Sequence, residues 1–166
     1  NLTGMLSIPN SVRVIDYYAF GYCTGLNGAL TLGNSLTTIG DNAFQGCTGL
    51  TGSIAIPDSV TAIGNSAFQD DIGFNGTLTF GSSLTTIGNN AFKNCKNITG
   101  VLSIPESVTS IGSCAFHATA ANTNGTNAYV GAYDDANVIK FFANYPEYIV
   151  VSNTTTGSQI KYTIKC

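Results

Sequence analysis

The stretch Gly28-Ala29-Leu30-Thr31-Leu32-Gly33-Asn34-Ser35-Leu36-Thr37-Thr38-Ile39-Gly40-Asp41-Asn42-Ala43-Phe44-Gln45-Gly46-Cys47-Thr48-Gly49-Leu50-Thr51 decides the fold, because the chain repeats it. Gly4, Gly28, Gly52, Gly76 and Gly100 open successive copies, each 24 residues after the last. Within each copy the apolar positions recur together: Leu6/Leu30/Ile54/Leu78/Leu102, Ile8/Leu32/Ile56/Phe80/Ile104, Val12/Leu36/Val60/Leu84/Val108 and Ile15/Ile39/Ile63/Ile87/Ile111. An unvaried Ala-Phe pair follows, at residues 19–20, 43–44, 67–68, 91–92 and 115–116. A unit this short cannot bury its own apolar residues. Stacked units can, because each ladder then joins one continuous core.

Each unit holds two strand-like pieces. The first is Leu-x-Leu or its equivalent, alternating with period two, as in Leu30-Thr31-Leu32. The second runs from Ser35 to Ile39 and its cognates. Gly40, Gly64, Gly88 and Gly112 then break the chain. Asp41, Asn65, Asn89 or Ser113 follows, in place to cap a single helical turn that carries Ala-Phe. A longer period overlies the first: Pro9, Gly33, Pro57, Gly81 and Pro105 alternate, as do Val and Leu three residues on. The evolutionary unit therefore spans two structural turns.

The template resembles the BspA-like leucine-rich repeat family, whose pattern is Leu-x-x-Ile-x-Ile-Pro-x-x-Val-x-x-Ile-Gly-x-x-Ala-Phe-x-x-Cys. Ser103-Ile104-Pro105-Glu106-Ser107-Val108-Thr109-Ser110-Ile111-Gly112 with Ala115-Phe116 carries it most fully, and Ile-Gly-x-x-Ala-Phe recurs four times. Asp16 replaces the Gly in the first turn. An extra Gly between Leu26 and Leu30, and in the cognate turns, lengthens the usual unit by one residue. The third turn also departs, with Asp70-Asp71-Ile72-Gly73-Phe74 where the second has Gly46-Cys47-Thr48-Gly49-Leu50. The resemblance implies a right-handed, curved leucine-rich-repeat solenoid, mainly β with short helical turns, whose Leu-x-Ile strands line the concave side. It also implies extracellular or cell-surface display and adhesion to proteins or cells. Residues 1–120 are expected to form five 24-residue turns, and 121–166 a C-terminal cap.

The two ends support that division. Asn1-Leu2-Thr3 matches the tail of a repeat (compare Gly25-Leu26-Asn27), so the chain is expected to start inside one, with no signal peptide in this stretch. Tyr17, Tyr18 and Tyr22 stand where other turns carry polar or small residues. They read either as a cover for the stack end or as an aromatic binding patch. From Ala118 the template dissolves. Tyr129 to Tyr133 reads as a strand, and Asp134-Asp135 as the cap of a short helix through Val138, Ile139 and Phe142. Tyr148 to Val151 and Ile160 to Ile164 read as strands about the turn Thr154-Thr155-Thr156-Gly157.

Composition narrows the function. Of 166 residues, 43% are hydrophobic and only 9% charged, with net charge −3. The chain lacks the basic stripe of a nucleic-acid binder and the cationic surface that docks on anionic lipid. No apolar run approaches the ~18 residues of a membrane span. No P-loop or dinucleotide fingerprint occurs, and the glycines recur at repeat spacing. One histidine, His117, and no clustered cysteines give no zinc site and no supported nucleophilic site. Asp70-Asp71 reads as a solvated loop before it reads as a calcium site. No cofactor, metal or catalytic residue is expected.

Five cysteines, an odd number, form no C-x-x-C pair and signal no disulfide framework. Cys23, Cys47 and Cys95 close three units and are expected as buried free thiols. Neighbouring turns lie inside the ~4.4–6.8 Å disulfide window, but parallel side chains point the same way, so spacing leaves the Cys23–Cys47 pair open. Cys166, at the terminus, is expected to have no partner in the chain.

What remains is the exposed ladders. Ser7, Thr31, Ala55, Thr79 and Ser103 face outward on the first strands, flanked by Met5, Ala29, Ser53, Thr77 and Val101. Arg13, Thr37, Thr61, Thr85 and Thr109 do so on the second, beside Val14, Thr38, Ala62, Thr86 and Ser110. These faces are flat, nearly uncharged and rich in Thr. The sequence points to a non-enzymatic module that binds a host matrix or cell-surface protein, as a monomer or with weak end-to-end association. A stalk that displays another domain is the alternative.

Overall fold

The chain's structure is a computed structural model. It describes residues 2–99, 102, 104–117 and 119, and beyond them the strand residues 127–132, 149–150, 155–156 and 159–164.

Two parallel sheets run the length of the stack. β1 (Gly4–Ser7), β3 (Leu26–Thr31), β5 (Leu50–Ala55) and β7 (Phe74–Thr79) form one, in that order. β2 (Val14–Ile15), β4 (Thr38–Ile39), β6 (Ala62–Ile63), β8 (Thr86–Ile87) and β9 (Ser110–Ile111) form the other. The second sheet pairs residues 24 apart throughout, Ile39 with Ile63 and Ile63 with Ile87. It has five strands among the described residues. The first sheet has four strands, one fewer, and Ser103 and Val101 of the fifth turn lie outside the described residues. A separate antiparallel sheet joins β10 (Asn127–Ala132), β13 (Gln159–Ile164) and β11 (Ile149–Val150), with β12 (Thr155–Thr156) on β13. β10, β11 and β13 overlap the strands expected at 129–133, 148–151 and 160–164, whereas β12 is a strand where a turn was expected. The expected helix at 134–142 lies outside the described residues.

Strands of the first sheet start earlier than Leu-x-Leu suggests, and a bulge explains the difference. Gly4 pairs with Leu26, but Leu6 pairs with Leu30, and the same shift recurs between Gly52/Phe74 and Ile54/Leu78. A step of two residues on one strand thus faces a step of four on the next, and the added glycines lie at this irregularity. Gly52 has φ +83°, with no neighbouring atom within 4 Å of a Cβ built there. Only backbone strain opposes a side chain at that position. Gly52→Ala should therefore cost about 1–2 kcal/mol in urea unfolding, without any steric clash.

No helix forms among the described residues, which corrects the expected helical turns. The hydrogen bonds around Ala43-Phe44 show why. The N–H groups of Ala43, Gln45 and Cys47 bond locally, to the carbonyls of Gly40, Asn42 and Phe44. Those of Asn42, Phe44 and Gly46 instead bond to Asn65, Ala67 and Gln69 of the next turn. Every second donor is thus taken from any helix, and Asn42 (φ 59°) and Gly46 (φ 70°) hold left-handed backbone that a helix cannot contain. The residues expected as helix caps serve the stack as well. Asp41, Asn65 and Asn89 each accept, through Oδ1, the N–H of the residue 24 positions on, at 2.6, 2.8 and 2.7 Å.

The ladders form one core. Its spine is a column of phenylalanines. Phe20, Phe44, Phe68, Phe92 and Phe116 stack face to face at 5.3, 5.0, 5.1 and 5.3 Å between ring centres.

Candidate functional site

The exposed face of the first sheet follows from strand alternation. In β3, β5 and β7 the residues Leu26 and Leu30, Leu50 and Ile54, and Phe74 and Leu78 turn inward and are buried. Asn27, Ala29 and Thr31 turn outward, as do Thr51, Ser53 and Ala55, and Asn75, Thr77 and Thr79. Met5 and Ser7 continue the face on β1. The structure therefore places six of the seven candidate residues, Ser7, Thr31, Ala55, Thr79, Ser53 and Thr77, on one solvent-facing surface. Ser103, the seventh, lies outside the described residues. Register sets Ser7 beside Thr31 and Ala55 beside Thr79. Ser53 Oγ accepts the Thr77 N–H at 3.0 Å and lies 3.3 Å from Thr77 Oγ1. No strand of this sheet carries a charged residue, so the face offers hydroxyl and amide groups without a dominant field.

The second threonine row has a different role. The hydroxyls of Thr37, Thr61, Thr85 and Thr109 donate to the carbonyls of Arg13, Thr37, Thr61 and Thr85, one turn back. They pin turn to turn. Beside them a shallow groove of about 380 Å³ crosses four turns, lined among others by Thr38, Asp41, Asn65 and Asn89. Sequence reasoning missed this groove. Its signal was the recurrence of Asp, Asn or Ser after each Ile-Gly, which reads as helix capping.

Tyr17, Tyr18 and Tyr22 form a contiguous cluster, with ring centres 5.1 and 6.0 Å apart. They are 67%, 37% and 56% exposed, so they lie open to solvent. Met5 and Val14 of the same turn, and Leu2 just before it, are exposed as well.

The remaining candidate groups disperse. Cys23, Cys47 and Cys95 are free, which closes the Cys23–Cys47 question. The Cys47 and Cys95 thiols donate to the Phe20 and Phe68 carbonyls, both at 2.9 Å. Burial, with Asp71 nearby, pushes the Cys47 thiol up to about 12 and raises Cys95 as well, so neither is a ready nucleophile. Asp70 and Asp71 do not act as a pair. Asp70 holds the amides of Asn94 and Gln69 at 2.7 and 3.1 Å. Asp71 turns inward to the cysteine position and is fully buried, which corrects the reading of a solvated loop. The His117 backbone bonds to Cys114 and Asn94, within the stack.

Parallel strands repeating every 24 residues around a phenylalanine column define a leucine-rich-repeat solenoid. A family model of the BspA-type leucine-rich repeat region matches residues 2–123 in six copies, and the chain belongs to that family. Among solved structures it is similar to a leucine-rich repeat protein of T. pallidum, with 30% identity and a TM-score of 0.62 over 70% of this chain and 56% of that one. A leucine-rich cell surface protein of Faecalibacterium prausnitzii is 28% identical, with a TM-score of 0.51 over 71% of this chain and 38% of that one. The chain thus spans just over half of the first protein's length and well under half of the second's. No curated protein sequence matches it.

Proposed function

We propose that the chain is a non-enzymatic, surface-displayed repeat module that binds a protein partner through the outer face of the β1-β3-β5-β7 sheet. The observation that carries this reading is the rank of outward residues, Ser7, Thr31, Ala55 and Thr79 beside Ser53 and Thr77, on a hydrogen-bonded parallel sheet. Rigid backbone lowers the ordering cost of binding. The absence of Trp and of charge contrast keeps single-module affinity modest, and tandem arrays gain by multivalency. Display at the cell surface is supported by the description of the F. prausnitzii relative. The tyrosine cluster is a second contact area on the same reading, because exposed Tyr supplies large area at low entropic cost.

The rival reading, a stalk that projects another domain, is supported by the threonine hydroxyls spent on joining turns. Surface plasmon resonance against a panel of extracellular-matrix and cell-surface proteins separates the two. A binder gives a saturable signal that falls at least tenfold in the Thr31→Arg/Thr79→Arg double variant. Silence across the panel, with the chain shown to be folded, supports the stalk.

A further inference from the structure

Cys23, Cys47, Asp71 and Cys95 each follow a core phenylalanine by three residues and form one column along the stack. A side chain in this column makes two bonds to other turns. It accepts the N–H of the column residue one turn earlier. The Cys47 sulfur takes the Cys23 N–H, Asp71 Oδ1 the Cys47 N–H at 2.7 Å, and the Cys95 sulfur the Asp71 N–H. It also donates to the phenylalanine carbonyl 27 residues back, as Cys47 does to Phe20 and Cys95 to Phe68, both at 2.9 Å. Asp71 makes the first bond. The acceptor for the second is the Phe44 carbonyl, and Asp71 Oδ2 is buried with no partner.

We infer that Asp71 makes the joint between the second and third turns sensitive to pH: as a carboxylic acid it closes the joint, and as a carboxylate it loosens it. The acid accepts through one oxygen and donates through the other, so it supplies both bonds of the column. The carboxylate only accepts, and its Oδ2 then lies buried without a donor, which is costly. The titratable groups that meet Asp71 give that charge no support. They are the Cys47 thiol of the second turn, the Cys95 thiol of the fourth and Asp70 of its own turn. Burial keeps both thiols protonated, and Asp70, held by Asn94 and Gln69, is of like sign. Lys93 and Lys96 flank Cys95 in the sequence. Neither is a partner of the carboxyl, whose Oδ1 is held by the Cys47 N–H and whose Oδ2 has none. Burial first, with Asp70 adding to it, raises the carboxyl above its usual value against the pull of the Cys47 N–H. The joint is therefore tightest in acid and loosens as pH rises through that raised value.

The response is local, because a stacked turn is stabilised mainly by its nearest neighbours. It reaches the first sheet through one bond: the Cys47 carbonyl accepts, at 3.1 Å, the N–H of Leu50, the residue that opens β5. The fifth turn lies beyond it, held by its own bonds from Thr109 to Thr85 and from Gly112 to Ile87. The inference does not depend on partner binding, so a silent binding screen leaves it standing.

The test is hydrogen exchange of the full chain, read amide by amide and corrected for the intrinsic pH dependence of exchange. Protection of the Cys47 and Asp71 amides should fall by about tenfold or more between about pH 4 and about pH 8, while the Thr109 and Gly112 amides keep theirs. In the same chain with isotope-labelled aspartate, the Asp71 carboxyl carbon should titrate above the usual carboxylate range. Asp71→Asn supplies an acceptor and a donor without a titrating group, so it should keep the fold and abolish the response. Asp71→Cys, which restores the column thiol, should do the same and serves if the Asn variant fails to fold. Unchanged protection at Cys47 and Asp71, a fall of equal size at Thr109 and Gly112, an Asp71 titration in the usual range, or a response that persists in the folded variant overturns the proposal.

Discussion

Phe68→Ala is expected to cost about 3–5 kcal/mol. Phe68 is fully buried, stacked on Phe44 and Phe92 and edged by Phe74 at 6.4 Å. Removing the ring leaves a cavity that the neighbours cannot fill, because each is held by its own inter-turn hydrogen bonds. The Phe68 N–H goes to Ala91, and the Phe44 N–H to Ala67. A solenoid is stabilised mainly between nearest neighbours. The cavity therefore weakens two interfaces at once, at the middle of the stack. Urea unfolding should show a lower midpoint and a broadened or split transition. Phe20→Ala, at a partly exposed end of the column, should cost clearly less. Equal losses at both positions would show that the column is not the spine.

Asp71→Cys should raise stability at neutral pH by about 1–3 kcal/mol. Asp71 stands in the cysteine column with no exposure. Its Oδ1 accepts the Cys47 N–H at 2.7 Å, and Oδ2 has no partner. In the column a thiol donates to the carbonyl 27 residues back, as Cys47 does to Phe20 and Cys95 to Phe68. For residue 71 that acceptor is the Phe44 carbonyl, and an ionised carboxylate cannot donate to it. Burial first, and Asp70 as well, raise the Asp71 carboxyl well above its usual value, against the Cys47 and Gly46 backbone donors. The sign follows directly. The folded chain holds this proton more tightly than the unfolded chain. Its contribution is thus complete below the unfolded value of 3.8 and is lost as pH rises through the higher folded value. The Asp71→Cys advantage should grow as pH rises from about 4 towards neutrality. Thermal unfolding at pH 3.5 and pH 7 checks this, and an advantage independent of pH would refute the buried acid.

Substituting the wall of the candidate face tests function where these two test the fold. A deep Phe68 cavity disables binding only by unfolding the support. Thr31→Arg/Thr79→Arg is expected to leave the unfolding midpoint almost unchanged, since both side chains are exposed.

Much of this molecule is legible in its residues. Five sets of ladder positions at one spacing name the core, the parallel register of Ile15, Ile39, Ile63, Ile87 and Ile111, and the outward rows of Thr and Ser. A repeat makes these readable because each position is sampled five times, and stacking converts equal spacing in sequence into equal depth in space. What the residues left open depends on competition for backbone groups. Asp41 and Asn65 look like helix caps in isolation. Only the neighbouring turn shows that the N–H groups they serve belong to residues 24 positions on. The threonines of the second strands look like an exposed surface until their hydroxyls are seen spent on the turn before. The extra glycine reads as an anomaly of length until the shift of register places it in a bulge. Asp71 reads as solvated until its position in the cysteine column buries it. Periodicity alone determined which residues share a layer. The tertiary stack decided which donor meets which acceptor, because every hydrogen bond in question joins residues of different turns, and no local stretch contains both partners.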